Sequence, residues 1–352
     1  MKKAIIAMSG GVDSSVAAFL MKSQNYQCIG ATMKLYDNED IGLSAERTCC
    51  SVDDIADARA VANKLGIPYY VMNFKEEFDK KVIDKFVSTY EAGGTPNPCI
   101  DCNRYLKFEK LMQRMQELDF DYVVTGHYAD IVYENGRYLL KKGKDLSKDQ
   151  SYVLYSLTQY QLAHTLFPLG KYSKDEIRAI AEKIGFVNAK KKDSQDICFV
   201  PDGDYASFIE RYTGQIYPEG DFVDKMGNII GRHNGMIRYT IGQRKGLGLS
   251  IGHPIYVCAK NIEKNQVVVG NNDDLFSNHL TAENFNWIIE EPKESITCMA
   301  KTRYNMKEVP CTAYVNGDSV KVEFVNPVRA VTTGQAVVLY DGYYVLGGGT
   351  IV

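Results

Sequence analysis

At 352 residues, and at roughly 150 residues per domain, the chain is long enough for two or three domains of ordinary globular composition. No apolar stretch approaches the about 20 residues that a membrane-spanning helix needs, and no charged-then-apolar leader precedes the first strand, so no membrane association and a cytoplasmic location are expected. The net charge of −3 excludes overall attraction to a polyanion and leaves any such partner to local basic patches, while nine cysteines at irregular spacing read as thiols of a reducing compartment rather than a disulfide framework.

The chain opens on an apolar run, Ala4-Ile5-Ile6-Ala7, that reads as a short buried strand. Val16, Ala17, Leu20 and Met21 then fall on one face of a helix, and residues 28–33 read as a second strand, which completes a βαβ unit. Ser51-x-x-Asp54 resembles a capping box for a helix running to Leu65, with Gly66 placed to end it and Pro68 leading into a strand over residues 69–72. Helices are expected over residues 75–91 and 105–118, and a short buried strand over 122–125. Such alternation predicts a parallel sheet with helices on both faces. Ligands then bind beyond the carboxyl ends of the strands, so the loops after Ala7, Met33 and Thr125 should share one crevice.

The first of these loops is Met8-Ser-Gly-Gly-Val-Asp-Ser-Ser15. Gly10 and Gly11 let backbone amides approach an anion closely, and the helix that follows adds its positive end. A phosphate site is the natural use. A glycine turn serving only to join strand to helix would need neither the aspartate nor the hydroxyls. The loop is not a Walker A motif, because no Gly-Lys-Ser/Thr follows, and it lacks the G-x-G-x-x-G of dinucleotide binders. SGGVDSS resembles the signature of the PP-loop ATP pyrophosphatases, which implies a grip on the pyrophosphate of ATP and transfer of AMP to a substrate oxygen.

Two cysteine segments narrow the substrate. TPNPCIDCNRYLKF, from Thr95 onward, places Cys99 and Cys102 in a proline-stiffened loop just before a helix. With Arg104 and Lys107 close by, Cys102 is expected to have a lowered pKa. DSQDICFVPDGDY places Cys198 in a second loop. Cys-x-x-Cys by itself leaves redox, zinc and iron–sulfur roles open, although no second such pair or close histidine pair completes a zinc site.

Taken with TGHYA from Thr125, KDQSYVLY from Lys148, YTIGQRKGLGL, KTRY, GQAVVLY and the terminal LGGGTI, these blocks resemble the bacterial tRNA-specific 2-thiouridylases along essentially the whole chain, in the same order. The resemblance implies ATP-dependent adenylation of the C2 oxygen of the wobble uridine, followed by displacement of AMP by sulfur. It implies that Cys198 carries a persulfide and that Cys102 is the partner thiol that closes a disulfide with it. Ala7, Met8, Ser9, Gly10, Gly11, Val12, Asp13, Ser14, Met33 and Gly126 would line the site for ATP with Mg²⁺. Asn97, Pro98 and Cys99 would meet the target base, and His127, Lys148, Asp149, Gln150, Arg303, Tyr304 and Gln335 the rest of the tRNA anticodon region. A cysteine desulfurase or sulfur relay protein would supply the sulfur.

This chain departs from the family at Cys99, where many relatives read Asn-Pro-Asp with the aspartate as general acid/base. Asp101 or Asp196 then covers the proton transfer, or none is needed. The third thiol also leaves open an iron–sulfur cluster on Cys99, Cys102 and Cys198. The alternative enzyme is a PP-loop ligase or amidotransferase acting on a small molecule, which would need no persulfide cysteine. A non-catalytic RNA-binding or sulfur-carrier protein is a further alternative, disfavoured by the intact loop.

Cys49-Cys50 are expected beside the sheet, and Cys28, Cys258, Cys298 and Cys311 in the core. The basic patches are Lys141-Lys142-Gly-Lys144, Lys190-Lys191-Lys192 and Arg244-Lys245, each read first as solvated surface. Beyond Asp204 helical periodicity fades into a Gly-rich middle segment, and from Pro254 short alternating strands with Asn-Gly, Asp-Gly and Gly-Asn turns predict a β-barrel. The expected organisation is α/β: a Rossmann-like PP-loop parallel sheet domain at 1–203, a small central domain at 204–274 and a C-terminal β-barrel at 275–352.

Overall fold

A strand buried on both faces must be apolar on both, and β1 (Lys3–Ala7) is: Ala4, Ile5 and Ile6 are wholly buried. The computed structural model describes residues 1–37, 52–191 and 197–352, so Cys49, Cys50, the Ser51 cap, Lys192 and Asp196 lie outside the described residues. After β1 come β2 (Gln27–Lys34), β3 (Tyr69–Asn73), β4 (Tyr122–Val124), β5 (Ala129–Glu134), β6 (Arg137–Lys142) and β7 (Thr165–Leu166). Five of them form the expected parallel sheet in the order β3-β2-β1-β4-β7, with Ile5 opposite both Ile29 and Val123. The order reverses direction between β1 and β4. That is the topological switch point, where a crevice opens at the carboxyl ends of the strands.

Helices α1 (Val12–Ser23), α2 (Val52–Leu65) and α3 (Lys174–Ile184) pack one core through Val16, Ala17, Met21, Val61, Ile177 and Ala181. Each large aliphatic side chain buried there contributes on the order of 1.5–3 kcal/mol relative to exposure. Gly66, at φ +63°, ends α2 as expected. The third helix was not expected, although its signals are local: Ser173 and Glu176 form a capping box, and Gly185 closes the helix in the left-handed region. Also unexpected is the β5–β6 hairpin, whose Asn135-Gly136 turn has φ +51° and +80°.

The expected helix over 75–91 is divided. Residues Lys75–Phe78 are α-helical, Asp79–Ile83 widen to a π-helical turn, and Asp84–Glu91 return to α. Two compact units part here, one comprising Met1–Ile83, Pro98–Gly203 and Gly342–Leu346, the other Asp84–Asn97, Asp204–Asp341 and Gly347–Val352. The cause is packing: Phe86 and Tyr90 place their rings on Tyr205 and Phe208 of the second unit's core. The helix expected at 105 starts earlier, at Pro98, whose fixed φ suits a first helical turn. It is π-helical over Cys102–Lys110 before Leu111–Glu117 resume the α form.

In the second unit β8 (Gly220–Val223), β9 (Ile229–His233), β10 (Tyr256–Asn261) and β11 (Gln266–Gly270) make a sheet ordered β10-β11-β8-β9 around Phe222, Val257, Val267 and Val269. The expected barrel follows, built from β12 (Phe276–Trp287), β13 (Ser295–Lys301), β14 (Val309–Asn316), β15 (Ser319–Arg329), β16 (Ala336–Asp341) and β17 (Tyr344–Ile351). Val320, Val322 and Phe324 point inward while Lys321 and Glu323 point out. The order β12-β15-β14-β13-β16-β17 closes where Ala282 of β12 faces Ile351 of β17.

His127, just past β4, is buried between the rings of Phe108 and Phe167, with Nδ1 2.7 Å from Thr125 Oγ1. Burial, aided by the charge of Lys107, holds its pKa well below the usual 6.5. A folded-state pKa below the unfolded value gives stability that is complete above the unfolded pKa and lost as pH falls through it. The melting temperature is therefore expected to drop between about pH 7 and pH 5, and His127→Gln should flatten part of that slope. Melting curves at pH 7, 6 and 5 check this, and an unchanged slope in the variant contradicts it.

Candidate active site

The amino end of α1 lies at the switch point and is shaped by backbone contacts. Gly10 has φ +76°, and a Cβ on it would lie 2.4 Å from the carbonyl oxygen of Asp54 in the first turn of α2. Gly126, in the loop after β4, abuts the same helix end: a Cβ there would lie 2.9 Å from Asp13 C and Ser14 N. Gly11 is the N-cap residue in extended conformation with no side-chain cap. The Ser14 and Ser15 hydroxyls instead donate back to the Gly11 carbonyl, each at 3.0 Å, and Ser9 N donates to Ser14 Oγ at 3.2 Å. A helix end of this kind, uncapped and lined by glycine, suits an anion.

Several residues that sequence reasoning missed hold this end in place. Asn188 is buried and donates from Nδ2 to the Gly10 carbonyl at 2.8 Å and to Ser15 Oγ at 2.9 Å. Lys174, the first residue of α3 and also buried, sends Nζ to both oxygens of Asp13 at 2.8 Å. Tyr128 donates its hydroxyl to Asp13 Oδ1 at 2.7 Å, and Lys174 Nζ lies 5.7 Å from the Tyr128 ring centre. Lys191, expected in a basic patch, pairs at 2.6 Å with both Asp54 and Asp57 of α2. The Ser173-x-x-Glu176 box was the only local sign of any of these.

The side chains of Met8 and Met33, both expected at the ATP site, are buried. Met8 lies over Gly30, where a Cβ would come within 2.5 Å of its sulfur, and its carbonyl accepts from Thr32 Oγ1 at 2.5 Å.

The seven described cysteines are all thiols. Cys99 is exposed in the first turn of the helix that begins at Pro98, and Cys102 is half-buried where that helix widens. The expected lowering of the Cys102 pKa is corrected: desolvation raises it above the usual 9.0, the Asp101 carboxylate adds to the rise, and Lys107 offsets only part. The Arg104 guanidinium lies 6.0 Å from the Tyr105 ring centre and 5.8 Å from that of Tyr155. Asp101 is buried.

The carbonyl of Cys198 accepts from the Tyr36 hydroxyl at 3.1 Å, so its loop sits beside the end of β2. Tyr36 packs on Phe78, and Phe78 packs edge-on against Phe199. On its other flank the same helical stretch carries Glu77, 3.4 Å from Lys110, and Lys81, 5.4 Å from the Tyr105 ring centre. Both cysteine segments thus brace on residues 75–83. Among the described residues no three His, Cys, Asp or Glu side chains are grouped to hold a metal. Cys99, Cys102 and Cys198 as arranged do not fit an iron–sulfur cluster.

Residues expected at the RNA are largely engaged with protein. His127 is buried, as above. Asp149 accepts from Gly143 N and from the Ser151 hydroxyl, and Gln150 exchanges hydrogen bonds with the backbone of Tyr128, 2.9 and 3.0 Å long. Lys148 donates its backbone N–H to the Asp145 carbonyl. Arg303 Nη2 donates to the carbonyls of Ile241 and Ala330 and to Thr332 Oγ1. Tyr304 stacks under Lys301, 5.8 Å from ring centre to Nζ. Of the basic patches, Lys144 pairs with Glu176, whereas Arg244 and Lys245 are exposed.

Three family models match consecutive stretches: a tRNA methyl transferase HUP domain over residues 2–202, a tRNA methyl transferase PRC-barrel domain over 206–271 and an aminomethyltransferase beta-barrel domain over 277–351. The tRNA-specific 2-thiouridylase MnmA of Lachnoclostridium phytofermentans is 53% identical over 100% of both chains. That of Clostridioides difficile is 50% identical over 99% of this chain and 98% of its own. Among solved structures, a 4-thiouridine synthetase–RNA complex with bound ATP covers 60% of this chain and 53% of its own at 18% identity and TM-score 0.37, too loose a match to carry any residue across.

Gly10→Ala introduces about 1–2 kcal/mol of left-handed strain on top of the clash with Asp54. It is expected to lower both the melting temperature and the affinity for ATP measured by calorimetry. Wild-type values for both would show that the close approach is not required. Because burial keeps Cys102 protonated at neutral pH, its alkylation by iodoacetamide should be slow at pH 7.5 and climb steeply only above about pH 9. A plateau reached by pH 8 in peptide mass spectrometry would contradict this.

Proposed function

The chain belongs to the tRNA-specific 2-thiouridylase family, and from that premise we propose that it converts uridine at wobble position 34 of tRNA to 2-thiouridine at the expense of ATP. The observation that carries the reading is the glycine-walled amino end of α1 at the switch point between β1 and β4. A carbonyl oxygen is a poor leaving group, and transfer of AMP to it with release of pyrophosphate makes it a good one. The amides of Gly10, Gly11, Asp13 and Ser14 hold the phosphates, with the Ser9 and Ser14 hydroxyls shaping the loop, and Gly126 forms the facing wall. Mg²⁺ would supply charge neutralisation for the phosphates of ATP. Asp13, paired through both oxygens with Lys174, orients the loop beside them.

Cys198 then receives sulfur as a persulfide from a sulfur donor protein, and the terminal sulfur attacks C2 as the C2–O bond to AMP breaks. The Cys102 thiolate attacks the Cys198 sulfur, leaving 2-thiouridine on the tRNA and a disulfide between the two cysteines. A methyl transfer, which the family-model descriptions name, would need neither a pyrophosphate grip nor a sulfur-carrying cysteine. The matched boundaries support a catalytic domain over 1–203, a small central domain over 204–274 and a barrel over 275–352 that contributes to tRNA binding, with Arg244 and Lys245 as exposed cationic contacts. Among the described residues no helix is long and apolar enough to cross a membrane.

Cys198→Ser is expected to release pyrophosphate in a tRNA-dependent manner yet to yield no 2-thiouridine by nucleoside mass spectrometry, and Cys102→Ser to stall with sulfur still on Cys198. Wild-type thiolation by Cys198→Ser would overturn the sulfur route, and loss of pyrophosphate release would place Cys198 in adenylation instead.

A further inference from the structure

The barrel brings together two thiols that lie thirteen positions apart in the sequence. Cys298 of β13 and Cys311 of β14 are directly opposite each other in the antiparallel ladder, with their sulfurs 3.7 Å apart. Opposed residues in such a ladder lie about 4.5 or 5.5 Å apart at Cα, and both spacings fall within the about 4.4–6.8 Å that a disulfide spans. Ala300 and Ala313 are the next buried residues along the same two strands, so small side chains border the sulfurs. Closing an S–S bond therefore needs a turn of two side chains and no slip of the ladder.

The two thiols differ in access. Cys311 is wholly buried, whereas Cys298 is 8% exposed, so a small oxidant reaches Cys298 first. Its hydrogen bond with Cys311, together with burial, holds the Cys298 thiol above the ordinary range, which makes it slower to react than the exposed Cys99. Between the two strands the chain turns through residues 302–308. A bond between Cys298 and Cys311 would close a ring around this loop, which carries Arg303 and Tyr304.

We propose that Cys298 and Cys311 form a dithiol site for hydrogen peroxide, which closes to a cross-strand disulfide and staples the β13–β14 hairpin. Cys298 gives its proton to solvent and its thiolate attacks one peroxide oxygen. The O–O bond breaks and hydroxide leaves, to be protonated to water, with a sulfenic acid left on Cys298. The Cys311 sulfur then attacks the Cys298 sulfur, the S–O bond breaks, and hydroxide leaves with the Cys311 proton as a second water. The two thiols are oxidised by two electrons in all, and one peroxide is reduced to two waters. The pair takes no part in the sulfur transfer proposed for Cys102 and Cys198.

The test treats the full-length protein with hydrogen peroxide, blocks the remaining thiols with iodoacetamide in denaturant, and maps the tryptic peptides without reduction. Cleavage after Lys301 and Arg303 separates the two cysteines, so closure is read as one joined pair of peptides, lighter by about 2 Da than their sum, that dithiothreitol takes apart. Hydrogen exchange over residues 296–313 is expected to slow about tenfold or more in the closed form. In Cys311→Ala the sulfenic acid on Cys298 should persist and be captured by dimedone, whereas in Cys298→Ala the Cys311 thiol should stay unmodified. No joined pair at peroxide doses well above those that oxidise Cys99 would overturn the proposal, as would sulfinic acid on Cys298 beside an intact Cys311. Unchanged exchange in the closed form would overturn the staple. The wild-type peptide map and exchange decide the matter even where a variant fails to fold.

Discussion

The amino end of α1 is held by backbone on two sides, with Gly10 against Asp54 and Gly126 against Asp13 and Ser14, and side chains from three further places in the first unit keep it that way. A helix end stays uncapped only if its surroundings fix the chain without using its amides. Asn188 does so through the Gly10 carbonyl, the serine hydroxyls through the Gly11 carbonyl, and Lys174 through the Asp13 carboxylate. The sheet order sets where this end lies. With β1 central and its neighbours reached by crossovers in opposite directions, the loops after β1 and β4 must meet over one crevice.

The proposed sulfur chemistry meets a different constraint, which is burial. Cys99 is exposed and Cys102 is not, and desolvation holds Cys102 in the thiol form despite the nearby lysine. In the proposed sulfur transfer Cys102 must therefore lose its proton before it can act as the partner thiol. Both cysteine segments brace on residues 75–83, through Phe78 and Phe199 on one flank and Lys81 and Tyr105 on the other. That stretch departs from the α form where the two compact units part, and π-helical turns of this kind are often found at functional positions.

Local chemistry was legible in the sequence, and long-range chemistry was not. The buried β1, the glycine loop, the end of α2 at Gly66 and the alternating barrel strands each follow from neighbouring residues. That Gly10 must be glycine because Asp54 lies against it could not be read, since the contact joins two separate elements. Lys191 reads as part of a basic run until Asp54 and Asp57 are seen to neutralise it. The expectation for Cys102 fails for two reasons: its helix begins at Pro98 rather than at residue 105, and burial outweighs a nearby cation. Arg303 and His127 carry polar groups that suit RNA, and only tertiary packing turns them toward protein. The apolar period over 75–91 is continuous and reads as one helix, whereas Phe86 and Tyr90 answer to rings more than a hundred residues further on.

The central claim is that the uncapped end of α1 grips ATP so that AMP is transferred to the uridine C2 oxygen, which then departs with it. Isotopic labelling tests this most directly. With tRNA carrying ¹⁸O at C2 of the wobble uridine, wild-type protein, ATP, magnesium and a persulfide donor, the account predicts that the AMP released during thiolation contains the label. Unlabelled AMP, or 2-thiouridine formed without any AMP, would contradict it.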